Sequence, residues 1–186
     1  MSMRNLRKTL INSKIFSKVC ISQPIRLVER SNFSFLLGYR ESLFSVINPK
    51  LFQYSLKASF LFIESFKKQN YKFVIVSAIT DSVLFNKFSE FCSRNKIILL
   101  RDTEIQPGFL TNNYFRKNLI VTLFLNTEKT ELIQKETFLK NVPMISFSTV
   151  GVNRLSSSFN VSGNYNASKT QNFILTLLSV CFKTKK

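Results

Sequence analysis

Short runs of uninterrupted apolar residues alternate along this chain with longer segments in which apolar residues recur every three or four positions. "LFSVI" (43–47), "FVIVSAI" (73–79), "KIILL" (96–100), "NLIVTLFL" (118–125) and "VPMISFS" (142–148) have the length and continuity of buried strands. After Pro49, the spacing of Phe52, Leu56, Phe60, Ile63 and Phe66 predicts one face of an amphipathic helix. Pro49 suits its first turn, where a missing N–H costs nothing. Asp81 can cap a second helix, with Leu84, Phe88 and Phe91 facing inward. Leu132, Ile133 and Leu139 suit a helix over 128–140, and Phe173, Ile174, Leu177, Leu178 and Cys181 predict a last one. Lys183, Lys185 and Lys186 then follow at the negative end of that helix's dipole. Continuous strands separated by helices bury both faces of a sheet. The expectation is a three-layer α/β domain with a five-stranded, mostly parallel sheet and helices on both faces.

Charge bears on partners. The 186 residues suit one domain, and 27 Lys+Arg against 10 Asp+Glu give a net charge of +17. A domain this basic repels itself in isolation, so a polyanion is expected, either nucleic acid or an anionic membrane surface. The clearest apolar stretches, "LIVTLFL" (119–125) and "FILTLLSVCF" (173–182), are far too short to span a bilayer. A membrane-surface helix needs a broad cationic face, whereas the last helix has its lysines at one end.

Cys20, Cys92 and Cys181 are widely separated, show no C-x-x-C spacing, and have no histidine to work with. That argues against a zinc site, a histidine-based triad and a disulfide framework. The cysteines read as small buried hydrophobes in a reducing compartment. Open α/β sheets bind ligands beyond the carboxyl ends of their strands. There the sequence supplies "TDS", "NTEKTE" and "TVGVNR", with no phosphate-cradling glycine loop. Glu128 and Glu131 could pair, but both fall in a predicted first helical turn, where acids favour the dipole. No catalytic residue, metal site or cofactor is expected. The alternative, a nucleotide-binding protein or enzyme, would need the glycine loop that is missing.

Candidate phosphate contacts begin in the acid-poor start of the chain, with Arg4, Arg7, Lys8, Lys14, Lys18, Arg26 and Arg30. Such a segment resembles a mitochondrial transit peptide, or it is a basic arm lying along RNA; residues 1–35 are read as an arm or extension. Arg40, Arg94, Lys96, Arg101, Arg116, Lys117 and the tail lysines Lys183, Lys185 and Lys186 fall mostly at element ends and in loops. There, long cationic side chains can reach phosphates.

Three ordered blocks carry a family resemblance. "LLGYRESLFSVINPKLFQYSLKASFLFI" (36–63) is similar to a Gly-x-Arg turn, first strand and helix, with Gly38 and Arg40 matching the turn. Pro107, Gly108, Phe109, Leu110, Thr111 and Asn112 resemble a Gly-Gly-x-Leu-Thr-Asn motif after the third strand. Val142-Pro143 resembles an Ile-Pro strand opening, and Val161, Gly163, Asn164 and Ala167 an Ile-Pro-Gly-Asn-Asp-x-Ala stretch before the last helix. These blocks resemble the small-subunit ribosomal protein two (S-two) family over residues 36–182. The resemblance implies a flavodoxin-like sheet, no catalysis, and a structural role in a small ribosomal subunit, on ribosomal RNA and among neighbouring ribosomal proteins. Family members carry a long helical hairpin after Leu-Thr-Asn, and here only Asn113 to Lys117 precede the next strand. Ser162 and Tyr165-Asn166 replace the family's Pro and acids, and Thr149-Val150 its Asp-Thr. This reduction, with the Phe-, Lys- and Asn-rich composition of an AT-rich genome, points to a mitochondrial member.

Overall fold

The computed structural model describes residues 18–41, 43–79, 81–112, 120–125, 130–153 and 157–182. Helix α1 (Pro49–Lys68) starts as its sequence dictates, with Pro49 in the first turn and the Asn48 side chain accepting the Lys50 N–H at 3.0 Å. Phe52, Leu56, Phe60 and Ile63 are buried along one face. Each such side chain contributes about 1.5–3 kcal/mol by leaving water. Helix α2 (Ser82–Asn95) is capped by Asp81, whose carboxylate accepts from Val83 N–H at 3.0 Å and Leu84 N–H at 3.3 Å. It buries Leu84, Phe88 and Phe91, and stops where Lys96 turns left-handed at φ 55°. Helix α3 (Thr130–Leu139) departs from expectation. Phe138 and Leu139 are exposed, while among the described side chains of this helix Glu136 and Thr137 are buried. Helix α4 (Ser168–Phe182) buries Ile174, Leu177, Leu178 and Phe182.

The strands divide between two sheets. β1 (Ile21–Pro24), β2 (Leu36–Arg40) and β3 (Phe44–Ile47) form an antiparallel sheet in which β3 lies between the other two. β4 (Lys72–Ser77), β5 (Ile98–Arg101), β6 (Ile120–Leu125), β7 (Met144–Ser148) and β8 (Phe159–Ser162) pair in parallel. β4 sits between β5 and β6, and β7 between β6 and β8.

This arrangement corrects the expected flavodoxin-like unit. The fold is mixed α/β, and residues 43–47, read as the first strand of a single sheet, belong instead to a separate antiparallel one. Gly38 and Arg40 lie in strand β2 and not in a turn. β1 and β8 escape the hydrophobic pattern because "ISQP" and "FNVS" are half polar; tertiary pairing makes them strands. Among the described residues a loop with a 3₁₀ turn at Asp102–Glu104 follows β5, where the sequence placed a loop, and no helix separates β7 from the unexpected β8.

Two cores result from the period-two alternation along β4. Phe73 and Ile75 join α1, α2, α4, Ile145, Phe147 and Val161 on one face. Val74 and Val76 face the other way, against Ile105, Leu110 and Met144. Among the described residues, a loop and helix α3 lie against that second face.

The chain before β2 is part of the body. Val19 and Cys20 lie in the main core, and Asn32 and Phe35 are buried. The boundary expected at residue 35 therefore does not mark a change in packing, while residues 1–17 and 183–186 lie outside the described residues.

Candidate nucleic-acid interface

The carboxyl ends of β7 and β8 are covered from within the chain. Residues 19–35 run across them. Asn32 donates from Nδ2 to the carbonyls of Val150 at 2.9 Å and Val152 at 2.8 Å. Its Oδ1 accepts the Ser162 hydroxyl at 3.1 Å, and Ser148 donates to Asn160 Oδ1 at 3.1 Å. Main-chain bonds close the seam: Glu29 N–H to Val150 O at 3.0 Å, and Asn164 N–H to Val19 O at 3.0 Å. At Gly151 a Cβ would come within 2.9 Å of the Leu27 carbonyl, so only glycine lets the two segments meet. These groups are amides and hydroxyls, which hold shape and lack an acid or base. Tyr165 is buried beside them. Burial, with a smaller push from Cys20, raises its phenol well above the usual value, which keeps it neutral.

The Pro-Gly loop is held differently. Pro107 opens a turn in which Gly108 takes φ 89°, and the Asn112 N–H bonds to the Gly108 carbonyl at 2.7 Å. The positive φ demands glycine, and a Cβ on Gly108 would also sit 2.7 Å from the Asn112 side-chain nitrogen and push that side chain aside. Leu110 fills the second core, and Thr111 is half-buried beside it. The Glu136 carboxylate of α3 then accepts the N–H groups of Gly108 and, at 2.8 Å, Leu110. This buried carboxylate fixes the loop against the sheet. Pro143 leads into β7, and Gly163 follows β8 with its N–H on the Ser148 carbonyl at 2.9 Å. A Cβ on Gly163 would meet the Tyr165 ring at 2.9 Å.

Among the expected phosphate contacts, Lys18, Arg26, Arg30, Arg40, Arg94, Lys96 and Arg101 are all exposed. Arg4, Arg7, Lys8, Lys14, Arg116, Lys117, Lys183, Lys185 and Lys186 lie outside the described residues. The fold does not gather the described seven at one point. Arg94 and Lys96 stand at the amino end of β5, and Arg101 ends that strand with its guanidinium 4.1 Å from the Phe85 ring centre. Arg40 ends β2 and meets Glu41 at 3.3 Å, an exposed pair of little energetic weight. Lys67 is committed to structure, since its Nζ donates to the last carbonyls of α4, Cys181 at 3.2 Å and Phe182 at 2.8 Å.

Sequence reasoning missed Asn32, Glu136 and Lys67. Nothing in their local spacing announces them, because each bonds a partner 26 or more residues away. No group of three or more potential metal-binding side chains occurs among the described residues, and none of their helices is long and apolar enough to cross a membrane. No family model matches the chain, and no curated protein matches it either.

Proposed function

We propose that this chain is a structural, RNA-binding constituent of a small ribosomal subunit, of the mitochondrial type, held by ribosomal RNA and neighbouring ribosomal proteins. The observation that carries the reading is electrostatic. The whole chain carries a net charge of +17, part of it outside the described residues, and the described cations largely stand in solvent, which favours a polyanionic partner that releases counterions on binding. The three ordered blocks resembling the S-two family add the ribosomal assignment; the flavodoxin-like sheet that they implied is no part of its support. The role is passive. The packed sheets would act as a rigid platform, while the cations neutralise phosphates along its surface. Sedimentation of the native protein through a high-Mg²⁺ gradient tests the reading. It should travel with small subunits, and recovery only at the top of the gradient would overturn the proposal.

A further inference from the structure

The chain has four glycines, and three of them are required by their surroundings. Gly108 needs its positive φ, Gly151 lies against a backbone carbonyl, and Gly163 lies against the Tyr165 ring. Gly38 differs. It sits inside β2, its φ is not positive, and a Cβ built there meets nothing within 4 Å. Glycine in a strand interior weakens the strand, and where the fold does not demand it, it leaves room for something to approach the backbone closely.

What surrounds Gly38 indicates the visitor. In an antiparallel sheet, directly opposed residues share a face. Arg40 opposes Phe44, which opposes Pro24; Gly38 opposes Val46, which opposes Ile21. The intervening Ser45 and Ile47 of β3 are buried, so the Phe44 side of β3 faces outward, while Tyr39, opposite Ser45 on the edge strand β2, is exposed as well. Phe44 is 41% exposed at its centre, beside an arginine on one strand and a proline on the other. Arg26 and Arg30 stand exposed just beyond Pro24 in the chain.

We propose that this face is a stacking platform for single-stranded RNA, with an unpaired base on the Phe44 ring, the sugar–phosphate backbone passing over Gly38, and Arg40 on a phosphate. Aromatic rings on a sheet, flanked by cations, take bases in this way because every base has a π-face. The chain's positive charge favours RNA over a protein segment as the occupant. The proposal rests on the RNA-binding reading above and adds the surface and the kind of RNA.

The test is fluorescence anisotropy of a labelled short single-stranded oligouridine with the full chain, its Phe44→Leu, Phe44→Tyr and Gly38→Val variants, and, in parallel, ribosomal RNA. Phe44→Leu keeps the charge and the apolar contact, so binding should weaken about ten-fold with the salt dependence unchanged. Phe44→Tyr should bind like the parent. Gly38→Val, whose Cβ meets nothing within 4 Å and which suits a strand, should fold with a urea midpoint at or above the parent's yet bind several-fold more weakly. If the parent binds oligouridine and Phe44→Leu binds equally well, the platform is refuted while the RNA reading stands. The platform is likewise refuted if ribosomal RNA binds and oligouridine does not, and the face would then suit a protein strand. If the parent binds neither RNA, both readings fall.

Discussion

Removing the Glu136 carboxylate should release the Pro-Gly loop from the sheet. That carboxylate is 8% exposed and accepts the Gly108 and Leu110 N–H groups, the second wholly within the protein. Glu136→Ala leaves both donors without an acceptor and opens a small void at α3. A buried donor left unsatisfied costs about 1–3 kcal/mol, so the pair costs roughly 2–5 kcal/mol. Glu136→Gln retains one acceptor oxygen and turns an amide N–H toward the other donor, for about half that loss. Because Leu110 sits in the second core with Val74, Val76 and Met144, the loss should reach global stability as well as the loop. Native-state hydrogen exchange at the Gly108 and Leu110 amides reports the local effect, and urea unfolding the global one. A local loss of about 2 kcal/mol is a roughly thirty-fold fall in protection. The neighbouring exposed Lys135→Gln is the control, expected within about 0.5 kcal/mol of the parent. Unchanged protection and an unchanged urea midpoint in Glu136→Ala would refute the assignment of the loop's anchorage to this side chain.

Asn32→Ala should destabilise by about 2–4 kcal/mol, since it removes the hydrogen bonds to the Val150 and Val152 carbonyls and the Oδ1 acceptor of the Ser162 hydroxyl at the seam. Limited proteolysis should then cut first within residues 21–35, and an unchanged urea midpoint would count against the latch. The thiols predict an alkaline dependence. Burial raises Cys20 to about 11 and Cys92 to about 12, and raises Cys181, with Glu64 adding to burial and Lys67 opposing it, to about 11, all from 9.0. Above that value the unfolded chain releases thiol protons that the folded chain keeps, so the stabilisation is full below pH 9 and falls as pH rises toward 11 to 12. Urea midpoints across that range should decline less steeply in Cys20→Ala, and an identical slope would exclude that thiol as a source.

Legibility in the sequence followed the range of the forces. The α1 and α2 faces and the Asp81 cap were readable because each is decided within one or two helical turns. The strands β4 to β7 were readable as apolar runs for the same local reason. α3 was misread at its C-terminal end, where Leu139 is exposed and a glutamate lies inward, because helical spacing ranks leucine inside and cannot see a loop waiting for an acceptor. Among candidate phosphate contacts, exposure was legible for the described cations, whereas their grouping was not. Arg94 and Arg101 are close in sequence yet stand near opposite ends of β5.

The sequence by itself determined where chain segments become helices and apolar strands, the absence of histidine, and the net charge of +17. Those properties belong to composition and short-range periodicity, which no tertiary contact can alter. Only the tertiary structure decided that "LFSVI" turns away from the parallel strands to pair with "ISQP" and "LLGYR". Only it sealed the carboxyl ends of β7 and β8 with residues 19–35, and left Gly38 with open space above it. Strand partnership is a competition among distant segments for backbone hydrogen bonds and burial, and its outcome depends on every competitor at once.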